Sequence, residues 1–116
     1  MKKMYIAVLD EAPDYMVPTL VAHSVINAHT KWSSYTTPLE ESEVYGEWFH
    51  SSFRKVVLRV NRKQFDKIKD TLTHWEGHEN TICDGKGSCL VVLPVESDAV
   101  PNVLKFASLW APKENN

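Results

Sequence analysis

The amino-acid sequence predicts a single α/β domain with a four-stranded mixed sheet, its elements in the order β-α-β-α-β-β-α. Three observations lead there. Short continuous apolar runs alternate twice with longer segments whose apolar residues recur at helical spacing. A glycine-containing turn then separates two further extended runs, and a last helical pattern follows. The 116 residues fit one domain, and a hydrophobic fraction of 43% is enough to bury a core. Helical crossovers cover both faces of such a sheet, so the expected architecture has three layers, α/β/α.

Residues 5–9 form an unbroken apolar run ending in Asp10-Glu11, as expected for a central strand buried on both faces. The stretch Ala12-Pro13-Asp14-Tyr15 reads as a turn, and Pro18 suits the first turn of a helix, where a missing N–H costs nothing. Leu20, Val21, Val25, Ala28 and Trp32 share one face of that helix. Residues 33–53 read as an irregular insertion. They hold Pro38, the acids Glu40, Glu41, Glu43 and Glu47, and the aromatics Tyr35, Tyr45, Trp48, Phe49 and Phe53. Connections this long are often lids or binding loops; here the aromatics are read first as sealing the core edge, with a lid as the alternative.

The second strand is residues 56–60. Asn61 then caps a helix, with Gln64 three residues on in the capping-box position. Phe65, Ile68, Leu72 and Trp75 keep helical spacing, so this helix is expected to run to about Trp75 and to stop at Gly77. Residues 81–83 read as a short third strand, 84–87 as a tight turn and 90–95 as the fourth strand. Asp98 and Pro101 open a final helix carrying Val103, Leu104, Ala107 and Trp110. No internal repeat or low-complexity tract is present.

Composition narrows the function classes. No apolar stretch reaches the length of a membrane span, and the first apolar run is too short for a signal-peptide core. Two cysteines, Cys83 and Cys89, are too few to staple a secreted domain. A cytoplasmic protein with reduced thiols is the expectation. A net charge of -2 excludes a surface that attracts nucleic acid everywhere. It leaves room for a local strip: Arg54, Lys55, Arg59, Arg62, Lys63, Lys67 and Lys69 crowd residues 54–69 against one acid, Asp66. On one face they would track the phosphates of RNA; otherwise they are a solvated helix face with strand-edge cations. His74, His78, Cys83 and Cys89 suggest a metal site at first sight, but Cys-x5-Cys across a hairpin matches no zinc spacing and Gly77 separates the histidines. No metal site is expected.

In an α/β sheet, ligands collect beyond the carboxyl ends of the parallel strands. That places Asp10, residues 11–19, the start of the first helix and the 84–88 turn around one crevice. Asp84, His23 and Ser88 there are a candidate acid/base set, with Asp84 orienting or deprotonating a water, His23 shuttling a proton and Ser88 donating to a carbonyl oxygen. The plainer alternatives are turn chemistry for Asp84-Gly85 and a core-edge role for His23.

The order of elements, the strand-then-helix start with Val21-Ala22-His23-Ser24, the strand Lys55-Val56-Val57-Leu58-Arg59-Val60 with its helix, and an aspartate-led turn, Asp84, with Ser88 four residues later, resemble the type II peptidyl-tRNA hydrolase superfamily. The match covers most of the chain outside residues 33–53. The resemblance implies hydrolysis of the ester bond of peptidyl-tRNA by Asp84, Ser88 and His23, with no cofactor, and a homodimer. Substrate contacts are then expected from Asp10, Met16, Lys86, Arg59, Arg62 and Lys63. The family's helix-start lysine falls on Met16 and its glutamine on Leu20. Asp10-Glu11 with Ala22-His23 looks closer to an uncharacterised branch that lacks the lysine. A non-catalytic module of the same fold, recognising RNA or a protein, is the alternative function.

Overall fold

The computed structural model of the chain describes residues 1–113. Its centre is strand β1, Lys2–Leu9, flanked by parallel β2, Arg54–Val60, in a register running from Lys3 opposite Arg54 to Leu9 opposite Val60. On the other side of β1 lies antiparallel β4, Cys89–Val92, and beyond it antiparallel β3, His74–Gly77. Two short pieces complete the sheet: β5, Val95–Glu96, pairs with the start of β1, and β6, Ser108–Leu109, pairs with β2. The fold is therefore mixed α/β, as expected, with about six strands rather than four.

Among the described residues, four helices pack around this sheet. Helix α1, Val17–Trp32, carries Pro18 in its first turn and buries Val17, Leu20, Ser24, Ala28 and Trp32. Helix α2, Leu39–Phe49, lies inside the stretch expected to be irregular. Pro38 precedes it, Glu40 and Glu41 occupy its first turn, where carboxylates complement the helix dipole, and Tyr45 and Trp48 anchor it in the core. Helix α3, Arg62–Thr71, begins with the expected capping box: the Asn61 side chain accepts from the Gln64 N–H and the Gln64 side chain accepts from the Asn61 N–H. It stops at Thr71, before the expected Trp75, because residues 74–77 form β3 on β4. Helix α4, Asn102–Lys105, is a single turn, and Ala107 and Trp110 lie beyond it, where the chain returns to the edge of β2.

Residues 81–83 form no strand. Gly77 takes the position opposite Cys89, and the chain then loops out through Glu79 to a 3-10 turn at Cys83–Gly85.

Alternation along β1 divides the core in two. Met4, Ile6 and Val8 pack with Leu20, Ala28 and Trp32 of α1 and Tyr45 and Trp48 of α2. Tyr5, Ala7 and Leu9 pack with Phe65 and Ile68 of α3 and Leu104 of α4. Phe65 and Ile68 are almost wholly buried, which stabilises the fold by about 1.5–3 kcal/mol each. Among the described residues, no helix is long and apolar enough to cross a membrane.

Candidate functional site at the carboxyl ends of the strands

Three strand ends lie side by side at one edge of the sheet. The Leu9 N–H donates to the Ser88 carbonyl at 2.9 Å, and the Asp10 N–H donates to the Val60 carbonyl at 2.8 Å. Around them gather residues 11–16, the first half of α1, the start of α3 and the connection between β3 and β4.

That connection presents Asp84. Cys83, Asp84 and Gly85 have φ values of 49°, 54° and 72°, three successive left-handed residues. Asp tolerates this region and Gly prefers it, whereas Cys83 is strained there. The result is a turn that leaves the Asp84 and Lys86 side chains exposed. Burial pushes the Cys83 thiol above its ordinary value; the charges of Glu11 and Asp84 add to this and Arg62 opposes it. The Asp84 turn thus stands over the start of α3 and the loop after β1.

His23 lies on the exposed side of α1, with Nδ1 3.7 Å from Glu79 Oε1. The distance is that of an ion pair with a protonated ring, too long for a hydrogen bond. Glu79 belongs to the same β3–β4 connection as Asp84, so the imidazole and the expected acid meet one loop. Sequence reasoning missed Glu79, which lies in a connector without motif or periodicity.

Ser88 is placed differently. It is fully buried, its N–H donates to the Gly77 carbonyl at 2.9 Å, and its hydroxyl has no hydrogen-bond partner among the described residues. Cys89 and Val91 belong to the α1-side core and Leu90 and Val92 to the α3-side core. Strand alternation therefore assigns Ser88 to the α3 side, away from His23. The structure brings His23 and Asp84 to the same connection and does not bring the Ser88 hydroxyl to them. Met16 is half-buried against the α1-side core and Leu20 wholly so, which makes both packing residues.

The basic residues of 54–69 do not form one strip. Arg62 makes a two-point contact with Glu11, Nε to Oε2 at 3.2 Å and Nη2 to Oε1 at 3.0 Å. Arg59 bonds Asp14 at 3.2 Å and the Ala111 carbonyl, with its guanidinium carbon 5.1 Å from the centre of the Trp110 ring. Arg59 thus ties the loop after β1 to the chain beyond β6. Lys69 pairs with Glu76 at 3.1 Å, while Arg54 and Lys55 open β2 at the far end. Lys63 and Lys86 are exposed and have no ion pair among the described residues, so both remain available to an anion. Asp10 is half-buried at the end of β1.

Cavities of about 510 and 410 Å³ lie elsewhere, and neither His23, Asp84 nor Ser88 lines them. Among the described residues, no group of three or more His, Cys, Asp and Glu side chains is placed to hold a metal ion; His74 Nδ1 instead bonds the Leu72 carbonyl at 2.7 Å. Neither the models of known protein families nor the sequences of curated proteins match this chain.

Proposed function

We propose that this chain is a peptidyl-tRNA hydrolase II-like protein whose rim, at the carboxyl ends of β1 and β2, acts on the ester joining peptide to tRNA. The observation that carries the reading is the convergence of His23 and Asp84 on one connection: Glu79 meets the imidazole, and the left-handed turn four residues later presents the carboxylate to solvent. The likeness of Val21-Ala22-His23-Ser24, of residues 55–60 and of the Asp84-led turn to that superfamily supports it, and the reading entails a three-layer α/β/α arrangement.

In this mechanism Asp84 takes a proton from a water whose oxygen attacks the ester carbonyl carbon. The tetrahedral intermediate collapses with breakage of the bond to the ribose oxygen. His23, positioned beside Glu79, acts as the general acid that delivers a proton to that oxygen, and the carboxyl group formed loses its proton to solvent, so the products are a peptide carboxylate and a tRNA with a free terminal hydroxyl. Lys86, exposed beside Asp84, offers positive charge to the developing oxyanion in place of the lysine whose position Met16 occupies. Lys63 faces the tRNA phosphates. Ser88 stands outside the reaction. The reading extends to a cytoplasmic location and a homodimer, which light scattering tests.

The second reading, a non-catalytic module that binds RNA or a protein, is favoured by Leu20, which is wholly in the core, and by Met16, which packs against it half-buried. One experiment separates the two. The chain is mixed with a peptidyl-tRNA and with an amide-linked analogue that resists cleavage, at low and high salt. Release of peptide from the ester supports the enzyme; salt-dependent retention of both RNAs without release supports the module.

A further inference from the structure

At the opposite end of β2 from the rim, α1, α2 and the start of β2 line an open groove of about 410 Å³ formed largely by aromatic side chains. Lys55 lies opposite Met4 while Val60 lies opposite Leu9, so five residues of strand, roughly 16 Å, separate this cavity from the rim. Its size falls within the range of small-molecule sites. The rings of Trp48 and Phe53 stand 5.1 Å apart, those of Phe49 and Phe53 5.5 Å, and the His29 and Phe49 rings 5.0 Å.

Two features distinguish this cavity from a gap left by packing. Phe53 has a φ of 53°, a left-handed backbone rare for a bulky aromatic, and its ring is still 48% exposed. Burial therefore does not repay that conformation, and strain of this kind gathers at sites that hold a ligand. The second feature is charge. The Lys55 ammonium lies 3.3 Å from the centre of the Phe53 ring and donates to the Phe53 carbonyl at 2.7 Å. An ammonium has three donors, so two remain for an incoming group. The Tyr45 hydroxyl and His29 Nδ1 lie 2.8 Å apart and satisfy one another at the inner wall.

We propose that this cavity binds a small planar aromatic carboxylate, its ring laid against the exposed Phe49 and Phe53 side chains and its carboxylate on Lys55. A cationic ligand would be repelled by Lys55. An extended polyanion such as RNA would meet the exposed acids Glu40, Glu43 and Glu47 along α2, none of which lines the cavity. A compact monoanion avoids both penalties.

The test is calorimetric titration of the full chain with 2-naphthoate and, separately, with the uncharged 2-naphthylmethanol. Saturable 2-naphthoate binding is expected, weakened roughly tenfold or more in Lys55→Met, where a charge-assisted contact is lost. Binding of the alcohol should differ little between the two proteins. Lys55 is exposed, so the variant should fold, and matching circular dichroism verifies it. Absence of saturable binding, or equal 2-naphthoate affinity in Lys55→Met, overturns the proposal. So does a dimer that Phe49→Glu dissociates, which would assign the cavity to a second copy of the chain.

Discussion

A β-carbon built on Gly77 would lie 1.8 Å from the Ser24 hydroxyl oxygen and 2.6 Å from the Ser24 β-carbon, so α1 and β3 meet at a point where no side chain fits. That contact seats the β3–β4 connection, with Glu79 and Asp84, beneath the half of α1 that carries His23. Gly77→Ala should therefore destabilise the chain by about 1–3 kcal/mol in denaturant unfolding. Adding Ser24→Ala should not restore it, because the β-carbon clash remains. Adding Ser24→Gly should restore part of it, less the helix penalty of a glycine.

The carboxyl of Asp14 is held below its ordinary value of 3.8, first by the Lys113 backbone N–H and then by the Arg59 guanidinium. A carboxylate with a lowered folded-state value contributes stability that is complete above the unfolded value. The contribution fades as the pH falls below 3.8 through the folded value. Wild type should thus exceed Asp14→Asn in stability at pH 6, and the difference should shrink below pH 3.8. Chemical unfolding of both proteins at the two pH values checks this; an undiminished difference in acid contradicts it.

The two thiols should differ in reactivity. Burial raises Cys89 to about 12 and also lifts Cys83, which is only half-buried. Thiolate is the reacting form. A disulfide reagent at pH 8 should modify one cysteine slowly in the native protein and both promptly in denaturant, with peptide mapping assigning the slow site to Cys83.

Ser88→Ala removes a buried hydroxyl that has no partner among the described residues. The change should be neutral or stabilising by up to about 1 kcal/mol, since no hydrogen bond is lost and an unsatisfied group disappears. Peptide release from peptidyl-tRNA should be unaltered. A large loss of release at unchanged stability would return Ser88 to the reaction.

How far the sequence announces this structure follows from which interactions are local. The apolar run of β1, the proline-led start of α1, β2 and the Asn61–Gln64 capping box are all written in neighbouring residues, and all are found. Trp75 fits the period of α3 but belongs to β3, because pairing with β4, eighteen or fewer residues away in sequence, outweighs a helical pattern that has already lost its last buried turn. Helix α2 is harder to see in the sequence, because a mix of aromatics and glutamates also suits a loop, although Pro38 before Glu40 and Glu41 is a helix-start pattern. At the site, Asp84 was legible from its turn. The burial of Ser88 and the approach of Glu79 to His23 depend on tertiary placement, and so does the aromatic cavity, assembled from α1, α2 and β2.

The account rests on Asp84 and His23 working together at the rim. Its most direct measurement is the rate of peptide release from peptidyl-tRNA by wild type, Asp84→Asn and His23→Ala, each verified as folded. Release well above the buffer rate by wild type, falling about a hundredfold or more in each variant, is the expected result. Release by both variants at the wild-type rate, or by wild type no faster than in buffer, would contradict it.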